Sequence, residues 1–142
     1  VRKFHEIEPE LTDGIPIFPS TYGRPANHPD AMERCKIRAK ALYLFRRKRE
    51  QFFPKGIFAD PAWDILLDLY AAELEGKKVS ITSACLASGV AQTTALRWIR
   101  VLEENDLIFR IHDAMDGRRS FLRITGHALS KISKLIMDSS FS

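Results

Sequence analysis

The side chains of this chain that could do chemistry are hydrogen-bonding forks and cations, not nucleophiles. Between Ala91 and Asn105 stand Gln92, Thr93, Thr94, Leu96, Arg97 and Arg100. Glutamine bridges adenine, arginine bridges guanine bidentately, threonine meets a thymine methyl or a phosphate, and leucine excludes water beside methyl groups. A helix over 91–105 places this set on one side, and its amino end, with Thr93 and Thr94 near it, favours a phosphate. Ala95, Trp98, Ile99 and Leu102 recur at i, i+3, i+4 and i+7 and are expected to pack inward. Taken alone, the polar side reads more readily as the solvated face of an amphipathic helix. The lack of a carboxylate before Glu103, and the position of the helix after a short turn, favour base reading.

A second group follows at Asp113-Ala114-Met115-Asp116-Gly117-Arg118-Arg119. Gly117 is expected to allow a tight turn and Asp116 to orient an arginine. Arg118 or Arg119 at the tip would suit a narrow minor groove, where the negative potential is strongest. An ordinary polar hairpin with surface ion pairs would have the same composition. Its place directly behind a helix-turn-helix favours a wing.

Other chemistries find no support. His5, His28, His112 and His127 are scattered, with no HExxH and no Cys/His pairing suited to zinc. No glycine-rich phosphate loop or GxSxG elbow occurs. Asp64 and Asp68, one helical turn apart, are read as exposed helix acids in preference to a cation site. Cys85 is read as a small buried residue, and a redox-sensing role for Cys35 or Cys85 is disfavoured. No enzyme activity, metal or cofactor is expected.

The elements that must position these residues follow from periodicity and punctuation. Five of the seven prolines fall in residues 1–29, which read as an extended arm. A capping-box-like Asp30-Ala31-Met32-Glu33 opens a helix that runs to Phe53 before Pro54. Asp60-Pro61 opens a second helix, with Trp63, Leu66, Leu67, Tyr70 and Leu74 at helical spacing and Gly76 as its end. Lys78-Val79 allows a very short strand and Ser80 a cap. Ile81 to Ala87 makes a short helix, Gly89-Val90 a turn, and Ala91 to Asn105 a longer helix. Leu107 to His112 and Ser120 to Thr125 read as strands, and a last helix starts near Gly126 with Leu129, Ile132, Leu135 and Ile136 on one side. The expected fold is mainly α with a small β-wing: an arm over 1–29, a basic helix and linker over 30–59, a winged helix-turn-helix over 60–125 and a carboxy-terminal helix over 126–142.

Net charge is +4, but its distribution is uneven: residues 1–30 sum to −2, residues 31–59 to +7 and residues 60–142 to −1. Bulk basicity is therefore weak support for a nucleic-acid partner, and placement must carry the case. No apolar run approaches the roughly 18 residues of a membrane span. The amino end is charged and unlike a secretory signal. A reduced, cytoplasmic, nucleoid-associated chain without membrane contact is expected.

Residues 60–138 resemble the winged-helix core of the MarR (multiple antibiotic resistance regulator) family. The likeness is carried by Ile81 to Leu102, by Leu102-Glu103-Glu104-Asn105-Asp106-Leu107-Ile108, and by Asp113-x-x-Asp116-Gly117-Arg118. The resemblance implies a bacterial transcription regulator acting as a homodimer on a pseudo-palindromic operator. The recognition helix over 91–105 would lie in the major groove and the wing over 107–125 in the minor groove. Arg118 matches the family's wing arginine and Asp116 the aspartate that orients it. Asp106 stands where the family commonly has glycine, and Asn105 or Asp106 can still adopt the left-handed conformation at some cost. Met115 stands at a wing position that is often charged, and the tail after Gly126 leaves room for one helix.

The basic helix carries Cys35, Leu42, Tyr43, Phe45, Phe52 and Phe53, which are expected to pack on a partner subunit or on the winged domain. It would dimerise with the last helix while some arginines face phosphates; a merely solvated helix has equal weight. The resemblance also implies a small-molecule effector of unassigned identity. Tyr43, Phe45, Phe52, Trp63 and Tyr70 are its candidate lining, with core the preferred reading of those aromatics. The alternative to a DNA-binding regulator is a winged-helix protein-interaction module without a specific operator.

Overall fold

A computed structural model describes residues 10–12, 15–17 and 29–138. The chain runs β1 (Glu10–Thr12), β2 (Ile15–Ile17), α1 (Pro29–Arg49), α2 (Pro61–Glu75), β3 (Val79–Ser80), α3 (Ile81–Ala87), α4 (Gln92–Glu104), β4 (Ile108–His112), β5 (Ser120–Ile124) and α5 (Gly126–Asp138). The expected class, mainly helical with a small sheet, holds. Within the proline-rich arm, β1 and β2 pair antiparallel, with Leu11 opposite Pro16. A two-stranded ribbon consists of edges, where a proline is tolerated.

α2 is the axle of the molecule. Pro61 starts it, and Ile65, Leu67, Leu69, Tyr70, Ala71 and Ala72 are buried along it. The Tyr70 hydroxyl keeps its polar end satisfied against Ser133 Oγ at 2.7 Å. Around α2 close Ile99 and Leu102 of α4, Ile108 of β4, Leu122 and Ile124 of β5, and Leu129, Ile132 and Ile136 of α5. Full burial of each Leu or Ile side chain stabilises the fold by about 1.5–3 kcal/mol. Leu135, expected on the inner side of α5, is 56% exposed instead.

The sheet order is β3-β5-β4, antiparallel throughout. Ser80 caps α3, its hydroxyl accepting from Ser83 N at 3.1 Å. α4 closes through Asp106, which holds φ +57°. Asp106 N donates to Glu103 O and Leu107 N to Leu102 O, both at 3.0 Å, the paired bonds of a left-handed helix end. The Asp106 carbonyl in turn accepts from Thr125 Oγ1 at 2.8 Å and from His127 Nε2 at 2.6 Å. The same paired closure ends α2 at Gly76, where glycine meets the conformation without a Cβ penalty.

α1 lies along α2 and α5 through buried Ala31, Cys35 and Ala39. Arg38 Nη1 donates to Ile136 O at 3.1 Å, and the Tyr43 hydroxyl to Ala87 O at 3.0 Å. Its other side leaves Ile37, Leu44 and Phe45 exposed. Phe45, Phe52 and Phe53 lie outside the core that takes Cys35, Leu42 and Tyr43, and Phe53, beyond the end of α1 at Arg49, meets the Phe58 ring edge-to-face at 5.4 Å. No helix among the described residues is long and apolar enough to cross a membrane.

Candidate nucleic-acid interface

α3 and α4 are joined by a turn built from small residues. Gly89 takes φ +75°, and the buried Ser88 hydroxyl bridges Cys85 O at 2.5 Å and Val90 N at 3.3 Å. Beyond the turn, Ala95, Ile99 and Leu102 anchor α4 in the core. Gln92, Thr93, Leu96, Arg97 and Arg100 are exposed and Thr94 is half-buried, so the six residues expected on the outer face reach solvent in different degrees. Trp98 departs from expectation: it is 37% exposed, because it sits at the margin of the apolar sector where the core covers it only in part. No side chain caps the start of α4, whose N-cap is Ala91, so its first N–H groups lack a side-chain acceptor there.

Glu103, the first acid on that side, is taken by the neighbouring strand. Arg110 Nε and Nη2 donate to its two oxygens at 2.8 and 3.2 Å. The fork holds the Arg110 guanidinium above its usual pKa, chiefly through the Glu103 hydrogen bond. The outer face of α4 thus offers Arg97 and Arg100 while its nearest carboxylate is matched by a cation.

Between β4 and β5 the tip is tied by its own aspartates. Asp113 Oδ1 accepts from Met115 N at 2.9 Å and Asp116 Oδ1 from Arg118 N at 3.0 Å. Asp113 N donates to Arg119 O at 3.0 Å and Arg119 N to Asp116 O at 2.9 Å. Asp116 meets the Arg118 guanidinium at only 3.5 Å with the arginine 94% exposed, so its hold on the backbone is the stronger one. The expected part of Gly117 is not needed. Its φ is outside the left-handed region, and a Cβ there would meet nothing within 4 Å. The aspartate side chains make this turn. Arg119 lies 5.5 Å over the Phe121 ring, and Arg118, 94% exposed, projects from the tip into solvent.

The architecture is a winged helix-turn-helix. Its basic helix departs most from expectation. Arg46 and Arg47 are engaged by the carboxylate of Asp64, which is fully buried and not an exposed helix acid. Arg46 Nε reaches Oδ1 and Arg47 Nη2 reaches Oδ2, each at 2.5 Å. Burial pushes the Asp64 carboxyl up, and the hydrogen bond from Arg46 and the two guanidinium charges oppose it. Arg47 also meets Glu50 at 3.0 Å and lies 5.5 Å over the Tyr43 ring. Arg46 and Arg49 both donate to Phe58 O, at 3.3 and 3.2 Å, and Arg49 lies 4.5 Å over the Phe58 ring. Sequence reasoning missed this joint because an acid and two arginines 17 and 18 positions apart leave no local mark.

Among the described residues no group of three or more His, Cys, Asp or Glu side chains could hold a metal ion. Cys85 is buried, and burial raises its thiol pKa. The five candidate effector-lining aromatics do not converge. Tyr70 is core, Trp63 packs against the core, Phe45 and Phe52 are exposed, and Tyr43 borders a cavity of about 440 Å³ with Lys40, Asp68 and Glu75. A second cavity of about 700 Å³ lies between Arg47, Glu50 and Lys55 on one side and Cys85, Gly89 and Gln92 on the other.

No family model and no curated protein matches the chain. Solved structures similar to it include S. aureus MepR in its DNA-binding conformation, 24% identical over 69% of this chain and 77% of that one, with a TM-score of 0.49. The S. aureus MepR–DNA complex is 26% identical over 68% and 83%, with a TM-score of 0.47. The heme sensor PefR from Streptococcus agalactiae, in complex with heme, is 18% identical over 75% and 72%, with a TM-score of 0.46.

Proposed function

We propose that this protein is a sequence-specific DNA-binding transcription regulator of the MarR type. It binds a pseudo-palindromic operator as a homodimer, with α4 in the major groove and the β4–β5 wing in the minor groove. The observation that carries the reading is the presence of two exposed cationic surfaces, one on α4 and one on the β4–β5 tip. Arg97 and Arg100 stand exposed on α4 with Glu103 neutralised by Arg110, and the wing tip presents Arg118. On this reading Arg97 and Arg100 fork onto guanine edges and Gln92 onto adenine. Thr93 and Thr94 take a backbone phosphate, Leu96 meets a thymine methyl, and Arg118 and Arg119 enter the minor groove.

The homodimer is supported by the exposed apolar row of α1, Ile37, Leu44 and Phe45, and by Leu135 of α5. A second copy would cover these residues and set two α4 helices about one DNA turn apart. The cavity between Arg47 and Gln92 is where a small effector would touch both the basic helix and the start of α4.

Selection of bound duplexes from a randomised pool at near-physiological salt, with wild type beside Arg97→Ala, tests the reading. The expected result is a two-fold-related motif with half-sites about one helical turn apart, degraded in the variant. An equal, weak and salt-sensitive response from both proteins would remove sequence-specific binding and favour a protein-interaction module.

A further inference from the structure

Met115 is 94% exposed, more than any other large apolar side chain among the described residues. The four hydrogen bonds that fix the wing tip use backbone groups, the Met115 N–H among them, and the carboxylates of Asp113 and Asp116, and none needs the Met115 side chain. Nothing in the fold is gained by a thioether there, since a polar residue would serve the turn equally well. These bonds set the backbone of the tip, and the side chain leaves it toward solvent. It shares that tip with Arg118, also 94% exposed. An exposed cation beside an exposed unbranched apolar chain is the combination found where proteins enter the minor groove and wedge between base pairs. The cation seeks the groove's negative potential. The apolar chain gains by leaving water for the faces of two bases, and methionine's flexible, polarisable chain adapts to that slot.

We propose that Met115 is a minor-groove wedge. It enters with Arg118, partly unstacks one base step and bends the duplex where the wing meets it. The inference rests on the DNA-binding reading above and adds a determinant of specificity to it. The wing would prefer sites with a readily opened pyrimidine–purine step, TA or CA/TG, at its contact, although no base edge is read there.

The test uses a duplex recovered by the wild-type protein, dye-labelled at both ends and carrying 2-aminopurine at successive flank positions. Wild type is expected to raise end-to-end energy transfer and to brighten 2-aminopurine at one flank step, with a bend in the range of about 20–90°. Met115→Leu should keep both signals. Met115→Ala should bind about tenfold more weakly and lose both. Met115→Lys should regain affinity through its charge while leaving the duplex straight. All three variants should melt with wild type, because the side chain supports nothing in the fold. A wild-type complex with straight DNA, or equal bending by wild type and Met115→Ala, overturns the wedge and leaves DNA binding intact. If wild type recovers no specific duplex, the DNA-binding reading and the wedge fall together, and Met115 becomes a candidate contact for a protein partner.

Discussion

Arg47 lies so close across Gly89 that a Cβ built on the glycine would stand 1.8 Å from the arginine's Nη1. The contact joins the end of α1 to the turn that sets the angle between α3 and α4. Gly89→Ala meets two obstacles, a φ of +75° and a guanidinium tied to Asp64. The substitution is expected to lower unfolding stability by about 2–3 kcal/mol. In an Arg47→Ala background only the backbone part, about 1–2 kcal/mol, should remain. Denaturant titration of the four proteins in the cycle checks this, and strict additivity would show the contact to be idle.

Arg97 and Arg118 should fail in different ways. Arg97→Ala is expected to cost about 1–3 kcal/mol on the preferred duplex and little on others, which flattens base preference. Arg118→Ala should weaken all duplexes alike and reduce the slope of log affinity against log salt by about one. Binding isotherms at several salt concentrations separate the two patterns.

Arg110 should matter to DNA although its guanidinium is committed to Glu103. Removing it in Arg110→Ala leaves that carboxylate facing phosphates, and affinity should fall about three- to tenfold at low salt. Adding Glu103→Gln to the same protein should recover most of the loss. If the double variant binds no better than Arg110→Ala, Arg110 acts by touching DNA itself.

Asp68 gives a pH dependence with a definite sign. Burial pushes its carboxyl up, and neighbouring Glu75 adds to the rise. A carboxyl raised above its unfolded value contributes stability that is fully present below the unfolded pKa and is lost as pH rises through the folded one. Asp68→Asn, which keeps the shape without the charge, should therefore be more stable than wild type at neutral pH. The advantage should shrink as acid protonates Asp68 in the wild type. Paired melting curves from pH 7 down to about pH 4, near the ordinary carboxylate range, would show the two proteins converging. A constant difference would place the effect elsewhere.

The outer side of α1 gives the prediction for assembly. Leu44 and Phe45 are 62% and 65% exposed, so Leu44→Glu with Phe45→Glu should leave the fold of a single chain unchanged. In sedimentation the wild type is expected to run as a dimer and this variant as a monomer. A monomeric wild type, free and on DNA, would remove the dimer from the proposal.

Much of the winged unit was legible because its signals are local. Helical periodicity with Gly89 between two runs marked α3 and α4, and Asp113 to Gly117 between alternating segments marked the hairpin. Glycine drew attention at the tip that belonged to the aspartates, since composition does not say which residue bends a turn. Trp98 was misplaced because a periodic pattern assigns a sector, whereas its exposure depends on what covers the sector's margin. Asp64 was misread for a deeper reason. An acid is buried only if counter-charges converge on it, and Arg46 and Arg47 arrive across the loop between α1 and α2. The same basic run had suggested phosphate contact when its first two members were already engaged inside the protein.

The joint at Asp106 sets a limit on what the protein can adjust. Its carbonyl is held by Thr125 and His127 at the head of α5, and its N–H closes α4, so helix, strand and terminal helix meet at one residue. α4 and the first residues of the β4–β5 hairpin are thereby tied to one another at this joint. On the proposed function, a duplex that does not match that arrangement must itself deform, and sequences compete on pliancy as well as on the letters they display.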